Sequence, residues 1–293
     1  MPELAEVEYF RKRWHRDLIG REIVRVETHP HARVFTGPAG ARALGRALRG
    51  QRLETSIAAA KQMCFRFSGE IWLGLHLGMS GELRVESPAH RPASHDHLVL
   101  FTDEHAFVFN DPRMFGRVEF HVGADVPAWW ARIAPAILSK EFTVAAVAAF
   151  LRRRSRAPIK AVLLMQERFP GVGNWMADEI LWRAAIHPRR AAGSLQSKEV
   201  RTLWRDCRQV ARLALTTIAG RGGSLPPDLN VHIPQSWLFR HRWENGGRCP
   251  RTGVALVREA IGGRTTCWSP GRQRLRPATH RARRSTSRGR SRS

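Results

Sequence analysis

The sequence contains no run of about eighteen apolar residues, which excludes an ordinary membrane-spanning helix. Cysteine is also scarce, and no two of the four have the C-x-x-C spacing that places a pair of thiolates on one zinc ion. The first residues are acidic with a helical pattern, unlike a secretory signal peptide. We therefore expect a cytoplasmic protein whose thiols are free, at Cys64, Cys207, Cys249 and Cys267.

Acidic residues are few, with 25 Asp and Glu against 49 Lys and Arg, so the formal net charge is +24 and the pI is near 11.6. Residues 271–293 hold nine arginines and no acid, which leaves +15 of the +24 for the rest of the chain. Each Lys or Arg that meets a phosphate releases condensed counterions, so this surplus favours a polyanionic partner. A highly charged protein with no such partner is the alternative.

The pattern of apolar residues predicts a β-rich first half and a helical second half. Apolar residues at three- and four-residue steps predict a helix over 3–18, and alternating ones predict strands between 22 and 120, most clearly over 71–79. Stretches rich in Ala and Leu between 130 and 220 predict helices, and a short β segment follows at 254–268. With 43% hydrophobic residues over 293 positions, the chain can form one large domain or two modest ones.

Pro2 becomes the N-terminal residue if Met1 is removed, as is usual when a small residue follows. Its secondary amine would then be a nucleophile able to form an iminium ion with a sugar carbon at the aldehyde level. Glu3 and Glu6 follow at the start of the predicted helix, where the helix dipole favours negative charge. The alternative is purely structural, because proline is common in the first turn of a helix.

Six short segments together resemble one protein family. The chain opens with MPELAEVE, and in order along it come LHLGMSG at 75–81, HDH at 95–97, DPRMFG at 111–116, GVGN at 171–174 and GRTT at 263–266. Up to about residue 273, this series is similar to the formamidopyrimidine-DNA glycosylase and endonuclease VIII-like family, in which the opening normally reads MPELPEVE. Each segment alone is a weak signal, but the whole series in this order is specific.

The resemblance implies an α+β, multi-domain fold. It places an N-terminal helix and a catalytic β-sandwich in residues 1–125, a helical domain with a helix–two-turns–helix motif in 130–225 and a β-hairpin finger in 235–273. Double-stranded DNA with damaged bases or abasic sites would lie between the first two domains, bound by a monomer associated with the nucleoid. Residues 274–293 are Arg- and Ser-rich with few apolar residues to bury, so we expect a disordered basic tail.

The resemblance also implies a catalytic role for four residues. Pro2 would be the Schiff-base nucleophile, and Glu3 the acid that helps to open the deoxyribose ring. Lys61 matches a lysine on a β-turn that protonates the departing base or assists elimination, a proton transfer that an arginine cannot readily make. Arg264 would bind a phosphate and donate a proton in the second elimination. For Lys61 the plainer alternative is a surface lysine, although the chain has only five lysines.

Further residues would contact DNA if the resemblance holds. Met79, Arg113 and Phe115 match the side chains that fill the space left by an extruded nucleotide, which offsets part of the lost stacking energy. Asn174 is expected to cap a helix that starts at Trp175, with backbone N–H groups left free to bind phosphate. The remaining implied DNA contacts are His95, Arg154, Arg156, Lys160 and Arg264. The structural alternatives are a core position for Met79 at the end of its strand and a simple cap for Asn174.

The C-terminal region departs from the family pattern. The family usually ends in a four-cysteine zinc finger, but here one ligand position keeps its cysteine, and the four positions hold Cys249, Thr252, Ser269 and Arg272. One thiolate cannot hold a tetrahedral zinc site, so we predict a zincless finger, with neither a metal nor an organic cofactor. We expect three tryptophans to pack where the metal would lie, namely Trp237, Trp243 and Trp268.

Residues 221–234 form the second departure. In the family this region includes the loop that closes over an extruded oxidised purine, but here it contains three prolines, which stiffen it. The preferred lesion therefore stays open among 8-oxoguanine, oxidised pyrimidines, ring-opened purines and abasic sites. The sequence predicts a bifunctional glycosylase and abasic-site lyase. The alternatives are a catalytically idle homologue that binds abasic DNA, an endonuclease VIII-like enzyme that prefers oxidised pyrimidines, and a general nucleic-acid-coating protein.

Overall fold

The computed structural model describes residues 2–29, 33–36 and 40–275. Met1, whose removal we expect, and residues 276–293 of the expected basic tail lie outside the described residues. Across the described ranges, no helix combines the length and the apolar character needed to cross a membrane.

Helix α1 (Leu4–Leu18) joins the β-rich and helical parts of the molecule. A reciprocal capping box fixes its N-terminus, and its apolar residues fall on one buried face. The ring of Trp14 on this face lies 5.5 Å from Phe65 and 6.0 Å from Phe107, which belong to two different sheets. The helix therefore packs across both sheets, and it also contacts the long helix that follows in the helical domain.

Two antiparallel sheets of four strands each form the β-sandwich. The strand order in the first sheet is β1 (Arg25–Thr28), β6 (Asp96–Phe101), β7 (Ala106–Asn110) and β5 (Glu82–Glu86). The order in the second sheet is β2 (Leu53–Ala59), β3 (Gln62–Phe67), β4 (Ile71–His76) and β8 (Arg117–Val122). Helix α2 (Gly40–Leu48) packs against β1. Apolar side chains from both sheets share one buried core with α1, as expected of a sandwich.

Five helices follow in the described part of the chain: α3 (Ala128–Ala131), α4 (Val144–Arg153), α5 (Ile159–Leu163), α6 (Asn174–Arg183) and α7 (Ser197–Ile218). Helix α6 is buried along almost all of its length and contacts α5, α7 and the finger. It is therefore the central element of the helical domain.

The finger is the antiparallel hairpin of β9 (Val257–Ile261) and β10 (Arg264–Trp268). Gly262 and Gly263 form its two-residue turn with φ of +61° and +76°, a conformation that glycine adopts without strain. A Cβ atom at Gly262 would lie 2.7 Å from Cβ of Ala161, so the hairpin tip packs closely on α5. The α+β fold predicted from the sequence is confirmed.

Candidate active site

Glu3 is held at the N-terminus of α6, although the two lie 170 residues apart in sequence. Its Oε2 accepts hydrogen bonds from the backbone N–H groups of Gly173 (2.8 Å) and Met176 (3.1 Å), and its Oε1 accepts one from Trp175 (2.9 Å). A Cβ atom at Gly173 would lie 2.3 Å from Cδ of Glu3, so only glycine permits this approach. The carboxylate of Glu3 therefore replaces a local helix cap.

Asn174 is not the helix cap that the sequence predicted. Helix α6 begins at Asn174 itself, with Gly173 in the cap position, because Glu3 already binds the N–H groups that an asparagine side chain would have capped. The side-chain Nδ2 of Asn174 instead donates to the carbonyl oxygen of Thr265 (2.8 Å). Asn174 thus links the start of α6 to the finger hairpin.

Burial sets the charge state of the acidic and basic groups around Glu3. Glu3 is 2% exposed, and burial together with the charge of Glu6 raises the pKa of Glu3 to about 7, against the opposing effects of Lys61 and the backbone donors. Burial lowers the pKa of Lys61; Glu3 opposes this shift and Arg264 adds to it. Near neutral pH, both Glu3 and Lys61 are therefore better suited to exchange a proton than ordinary surface groups.

Lys61 lies on the two-residue turn between β2 and β3, and only 9% of it is exposed. The turn requires the left-handed conformation of Ala60, whose φ is +56°. A Cβ atom at Gly171 would lie 3.2 Å from the carbonyl oxygen of Ala60, so the turn packs on the loop that precedes α6. This packing brings the lysine of the sandwich to the helical domain.

A cleft of about 420 Å³ collects residues from distant parts of the chain. Five of the sequence-predicted residues line it: Glu3, Lys61, Met79, Asn174 and Arg264. Pro2 is half-buried and bonded directly to Glu3. The sandwich, the helical domain and the finger each contribute, so the cleft requires all three parts of the fold.

Met79 lies on a turn that is tied to a second loop by Asp111. The side chain of Asp111 accepts a hydrogen bond from the hydroxyl of Ser80 at Oδ1 and one from the backbone N–H of Gly116 at Oδ2, both 2.7 Å long. Strand β4 ends at His76, three residues earlier than the predicted strand, so Met79 belongs to the following turn. The alternative that Met79 is the last core residue of its strand is therefore wrong.

The second loop presents Arg113 and Phe115 to solvent. Phe115 is 56% exposed, and the guanidinium of Arg113 lies 4.9 Å from the centre of its ring. A Cβ atom at Gly78 would lie 2.4 Å from the backbone carbon of Phe115, so the two loops touch through their backbones. Met114 between them is also exposed and has φ of +51°; the sequence analysis assigned it no role.

Three predicted DNA contacts lie at the surface and do not line the cleft of Glu3. The side chain of His95 is exposed, and its carbonyl oxygen accepts the N–H of Asp111 (3.0 Å), which places it beside the second loop. Arg154 and Arg156 are exposed between α4 and α5, and Arg154 pairs with Glu167 at 2.9 Å. Their exposure leaves all three side chains accessible to a large ligand.

The structure contradicts the predicted DNA contact of Lys160. Its side chain is fully buried, and its Nζ donates to Oδ1 of Asp178 (2.5 Å) and to the carbonyl oxygen of Asn174 (2.7 Å). Because protein acceptors surround the ammonium group, it supports the first turn of α6 from inside and does not reach solvent.

The residues that line the cleft without a predicted role in it include His76, Arg242 and Trp243, the last of which was expected at the metal position. Burial and the charges of Arg117 and Lys61 lower the pKa of His76 to about 4, and its Nδ1 accepts the N–H of Gly78 (3.0 Å). His76 is part of the LHLGMSG segment, so a signal for it was available. Arg242 and Trp243 fall in a stretch without a matching segment, so no sequence signal placed them in the cleft.

Two of the four positions where the family has zinc ligands, Cys249 and Arg272, contact a tryptophan of α6. The indole Nε1 of Trp182 donates to Sγ of Cys249 (3.3 Å). Arg272 donates to the carbonyl oxygens of Trp182 (2.6 Å) and Arg183 (2.8 Å) at the end of α6. Within the ranges that the structure describes, no group of three or more His, Cys, Asp or Glu side chains is arranged to hold a metal ion.

The tryptophans predicted to fill this region pack elsewhere. Trp237, Trp243 and Trp268 make their ring contacts with Trp175, Phe239 and His187, respectively. The prediction failed because the residue that fills the region, Trp182, comes from a helix more than sixty positions earlier, and only the tertiary fold brings it there.

A buried acid, a buried amine and a guanidinium meet in one cleft, beside two loops with exposed apolar and basic tips. This combination suits a DNA glycosylase, because such an enzyme must act on a sugar between phosphates and fill the space of an extruded nucleotide.

The comparisons with known proteins identify the family. The family model of the formamidopyrimidine-DNA glycosylase N-terminal domain matches residues 1–118. The family model of the formamidopyrimidine-DNA glycosylase H2TH domain matches residues 133–224. A formamidopyrimidine-DNA glycosylase of Roseiflexus sp. is 36% identical over 279 residues, 94% of this chain and 100% of the relative. One of Nocardioides sp. is 37% identical over 302 residues, 98% of each. The chain belongs to the formamidopyrimidine-DNA glycosylase family of base excision repair enzymes.

Solved structures agree with this assignment. Lactococcus lactis Fpg in complex with abasic-site DNA is 25% identical and superposes with a TM-score of 0.80, covering 93% of this chain and 100% of that one. The same enzyme with DNA that contains N7-benzyl-Fapy-dG has a TM-score of 0.81 at 25% identity, covering 94% and 100%.

Proposed function

We propose that this chain excises oxidised bases from double-stranded DNA through a Schiff base on Pro2, followed by β- and δ-elimination. The amine nitrogen bonds to C1′ as the glycosidic bond breaks and the base departs with the bonding electrons. Delivery of a proton to O4′ breaks the C1′–O4′ bond, and the amine loses its own proton to give the iminium ion. Loss of a proton from C2′ then expels the 3′ oxygen, and a second elimination expels the 5′ oxygen.

The observation that carries this proposal is the position and protonation of Glu3. Its carboxyl group is fixed next to Pro2 by three backbone N–H groups, and burial keeps the pKa of Glu3 near 7. A neutral carboxyl group beside the nucleophile is a suitable proton donor to O4′ at physiological pH. The same three hydrogen bonds also cap α6, but a cap alone does not require the raised pKa that lets Glu3 donate a proton.

Lys61 and Arg264 support the later steps. The lowered pKa of Lys61 makes its amine suited to protonate the departing base or to take the C2′ proton. The guanidinium of Arg264 lines the same cleft and stays charged, so it is suited to bind the phosphate next to the lesion and to assist the second elimination.

DNA binding would use the surfaces on either side of the cleft. We assign Met79, Arg113 and Phe115 to the space left by the extruded nucleotide, and backbone phosphates to His95, Arg154, Arg156 and Asn174. Solved relatives crystallised with abasic-site DNA and lesion DNA support duplex DNA as the partner. We further propose that the finger works without zinc, and that the protein acts as a monomer at the nucleoid.

Strand cleavage of a labelled duplex with one abasic site tests this function, with untagged protein from which Met1 has been removed. Products ending in 3′-phosphate indicate β,δ-elimination, whereas a 3′-unsaturated aldehyde alone indicates that the second elimination does not occur. Tight binding without cleavage would favour the catalytically idle homologue. Parallel duplexes with 8-oxoguanine or thymine glycol separate the purine preference from the endonuclease VIII-like alternative.

A further inference from the structure

Trp243 stands out because it is exposed at the cleft that holds Glu3, Lys61 and Arg264. The side chain is 52% exposed, although tryptophan is highly buried on average in folded proteins. It lines the same cleft of about 420 Å³ as the three functional groups. Tryptophan is enriched at binding surfaces because its large ring is apolar, so a half-exposed tryptophan beside functional groups is suited to contact a ligand.

The ring of Trp243 is held in place even though it is exposed. The guanidinium carbon of Arg242 lies 4.6 Å from the centre of the Trp243 ring, and Phe239 makes an edge contact at 5.1 Å. Phe239 in turn packs edge-on against Trp175 of α6 at 5.1 Å. The ring is thus supported by a cation and by an aromatic chain that reaches into the core.

A buried ionic cluster fixes the cation beside this ring. Arg242 is 5% exposed, and it donates to Oδ2 of Asp178 from Nη2 (2.7 Å) and from Nε (3.2 Å). Asp178 is fully buried and also accepts the Nζ of Lys160 (2.5 Å) and the backbone N–H of Cys267 (3.0 Å). This network fixes the guanidinium of Arg242, and the guanidinium in turn restrains the ring of Trp243. A ligand that stacks on Trp243 therefore orders little additional side chain.

The proposed reaction brings a planar group, the extruded base, close to this ring. An enzyme that acts at C1′ must take the nucleotide out of the helix, and the extruded base loses its stacking neighbours. Aromatic side chains replace those neighbours, because every planar base has a π face to offer. Trp243 is the aromatic side chain of the cleft whose surface is most open.

We propose that Trp243 is the stacking surface for the extruded base, so that the cleft favours planar lesions such as 8-oxoguanine over puckered ones such as thymine glycol. The inference rests on the proposed excision function and names its substrate class. A planar oxidised purine presents a full aromatic face, whereas a pyrimidine saturated at C5–C6 is puckered and stacks poorly on a flat ring. Trp243 would therefore determine specificity.

The test compares Trp243→Ala and Trp243→Phe with the wild-type protein in single-turnover assays. Three duplexes are used, with one 8-oxoguanine, one thymine glycol or one preformed abasic site. We expect Trp243→Ala to lower the ratio of the 8-oxoguanine rate to the abasic rate by about tenfold, and the thymine glycol ratio by much less. Trp243→Phe should restore most of the loss, because it keeps an aromatic face. Trp130→Ala, a half-buried tryptophan that does not line this cleft, is the matched control and should keep the wild-type ratios.

A second measurement separates this inference from the proposed function. Binding is measured to 8-oxoguanine on a 2′-fluorinated sugar, which resists excision, and to a tetrahydrofuran abasic analogue. Stacking predicts that Trp243→Ala weakens the first complex about tenfold more than the second, even in a protein that cleaves nothing. An equal loss on both duplexes, an equal loss of rate on all three substrates, or no change in any ratio would overturn the role of Trp243. Absence of cleavage by the wild type, with the binding difference intact, would refute only the proposed function.

Discussion

At the scale of single residues, Glu3 shows how opposing effects set one protonation state. Three backbone N–H donors and the N-terminus of α6 favour the charged carboxylate. Complete burial and the neighbouring Glu6 favour the neutral acid, and these effects prevail, since the pKa of Glu3 lies near 7. Burial therefore leaves a proton available to donate, although the hydrogen bonds that hold the carboxyl group favour its loss.

The pH dependence of the reaction should report this proton. Glu3 is protonated below its pKa of about 7 and loses the proton above it, so kcat/KM on abasic DNA should fall as the pH rises through 7. In Glu3→Gln the rate should drop by about a hundredfold or more, and the descending limb near pH 7 should disappear. Rates measured from pH 5.5 to 8.5 check this, with the melting temperature as a folding control. A descending limb that persists unchanged in Glu3→Gln would contradict the role of Glu3.

Lys61→Arg tests whether the amine must exchange a proton. Arginine keeps the positive charge but stays protonated, so excision of a damaged base should slow by about a hundredfold while DNA affinity changes little. Lys140→Arg, at an exposed lysine outside the cleft, is the matched control and should behave as wild type. Wild-type excision by Lys61→Arg would show that only the charge of Lys61 matters.

Motifs identified many residues of the cleft, but not their surroundings. Lys160 was assigned to DNA because it lies near the GVGN segment, yet it is buried against Asp178, eighteen residues further along. Asn174 was assigned as a helix cap because asparagine often caps locally, yet Glu3 performs that task from the other end of the chain. Such long-range partners cannot be read from local sequence.

At the scale of elements, α6 connects the chemistry to the finger. Its N-terminus binds Glu3, and its Asn174 side chain holds the backbone of β10. Its C-terminus is bound by Arg272 from beyond the hairpin. The helix therefore sets the position of Arg264 relative to Glu3. The sequence predicted that this helix starts at Trp175, one residue after the observed start at Asn174, but its contacts follow from the tertiary fold.

The finger should keep its structure without metal. Dialysis against a strong chelator should leave both the melting temperature and abasic-site cleavage unchanged. Metal analysis of the untreated protein should find far less than one zinc ion per chain. Trp182→Ala should lower the free energy of unfolding by about 3–5 kcal/mol, because a fully buried tryptophan is lost. Trp182→Phe keeps an aromatic ring but removes the hydrogen bond to Cys249, so it should lower the free energy of unfolding by less. Loss of activity with the chelator, restored by zinc, would contradict this prediction.

At the scale of the whole molecule, positive charge dominates. The chain carries a net charge of +24, and residues 276–293 contain seven arginines. This charge was the first sign of a nucleic-acid partner, and it is independent of the fold. The preferred lesion could not be predicted in the same way. The proposed specificity residue Trp243 and its neighbour Arg242 come from a stretch whose sequence matched no family segment.

Truncation after residue 275 should weaken binding to all DNA sequences alike. Each arginine that no longer meets a phosphate should make the slope of log K against log salt less steep by about 1. Fluorescence anisotropy with undamaged and abasic duplexes at several salt concentrations measures both effects. A change in lesion preference at fixed salt would mean that the tail takes part in recognition of the lesion.

Borohydride trapping on a duplex with one abasic site tests the covalent mechanism most directly. The experiment uses untagged protein without Met1, alongside Pro2→Gly. The proposed mechanism predicts a stable protein–DNA adduct in the wild type, whose linkage maps to Pro2, and its loss or sharp reduction in Pro2→Gly. Absence of an adduct while binding to the abasic site is intact, or an adduct that maps to Lys61, would contradict the assignment of Pro2 as the nucleophile.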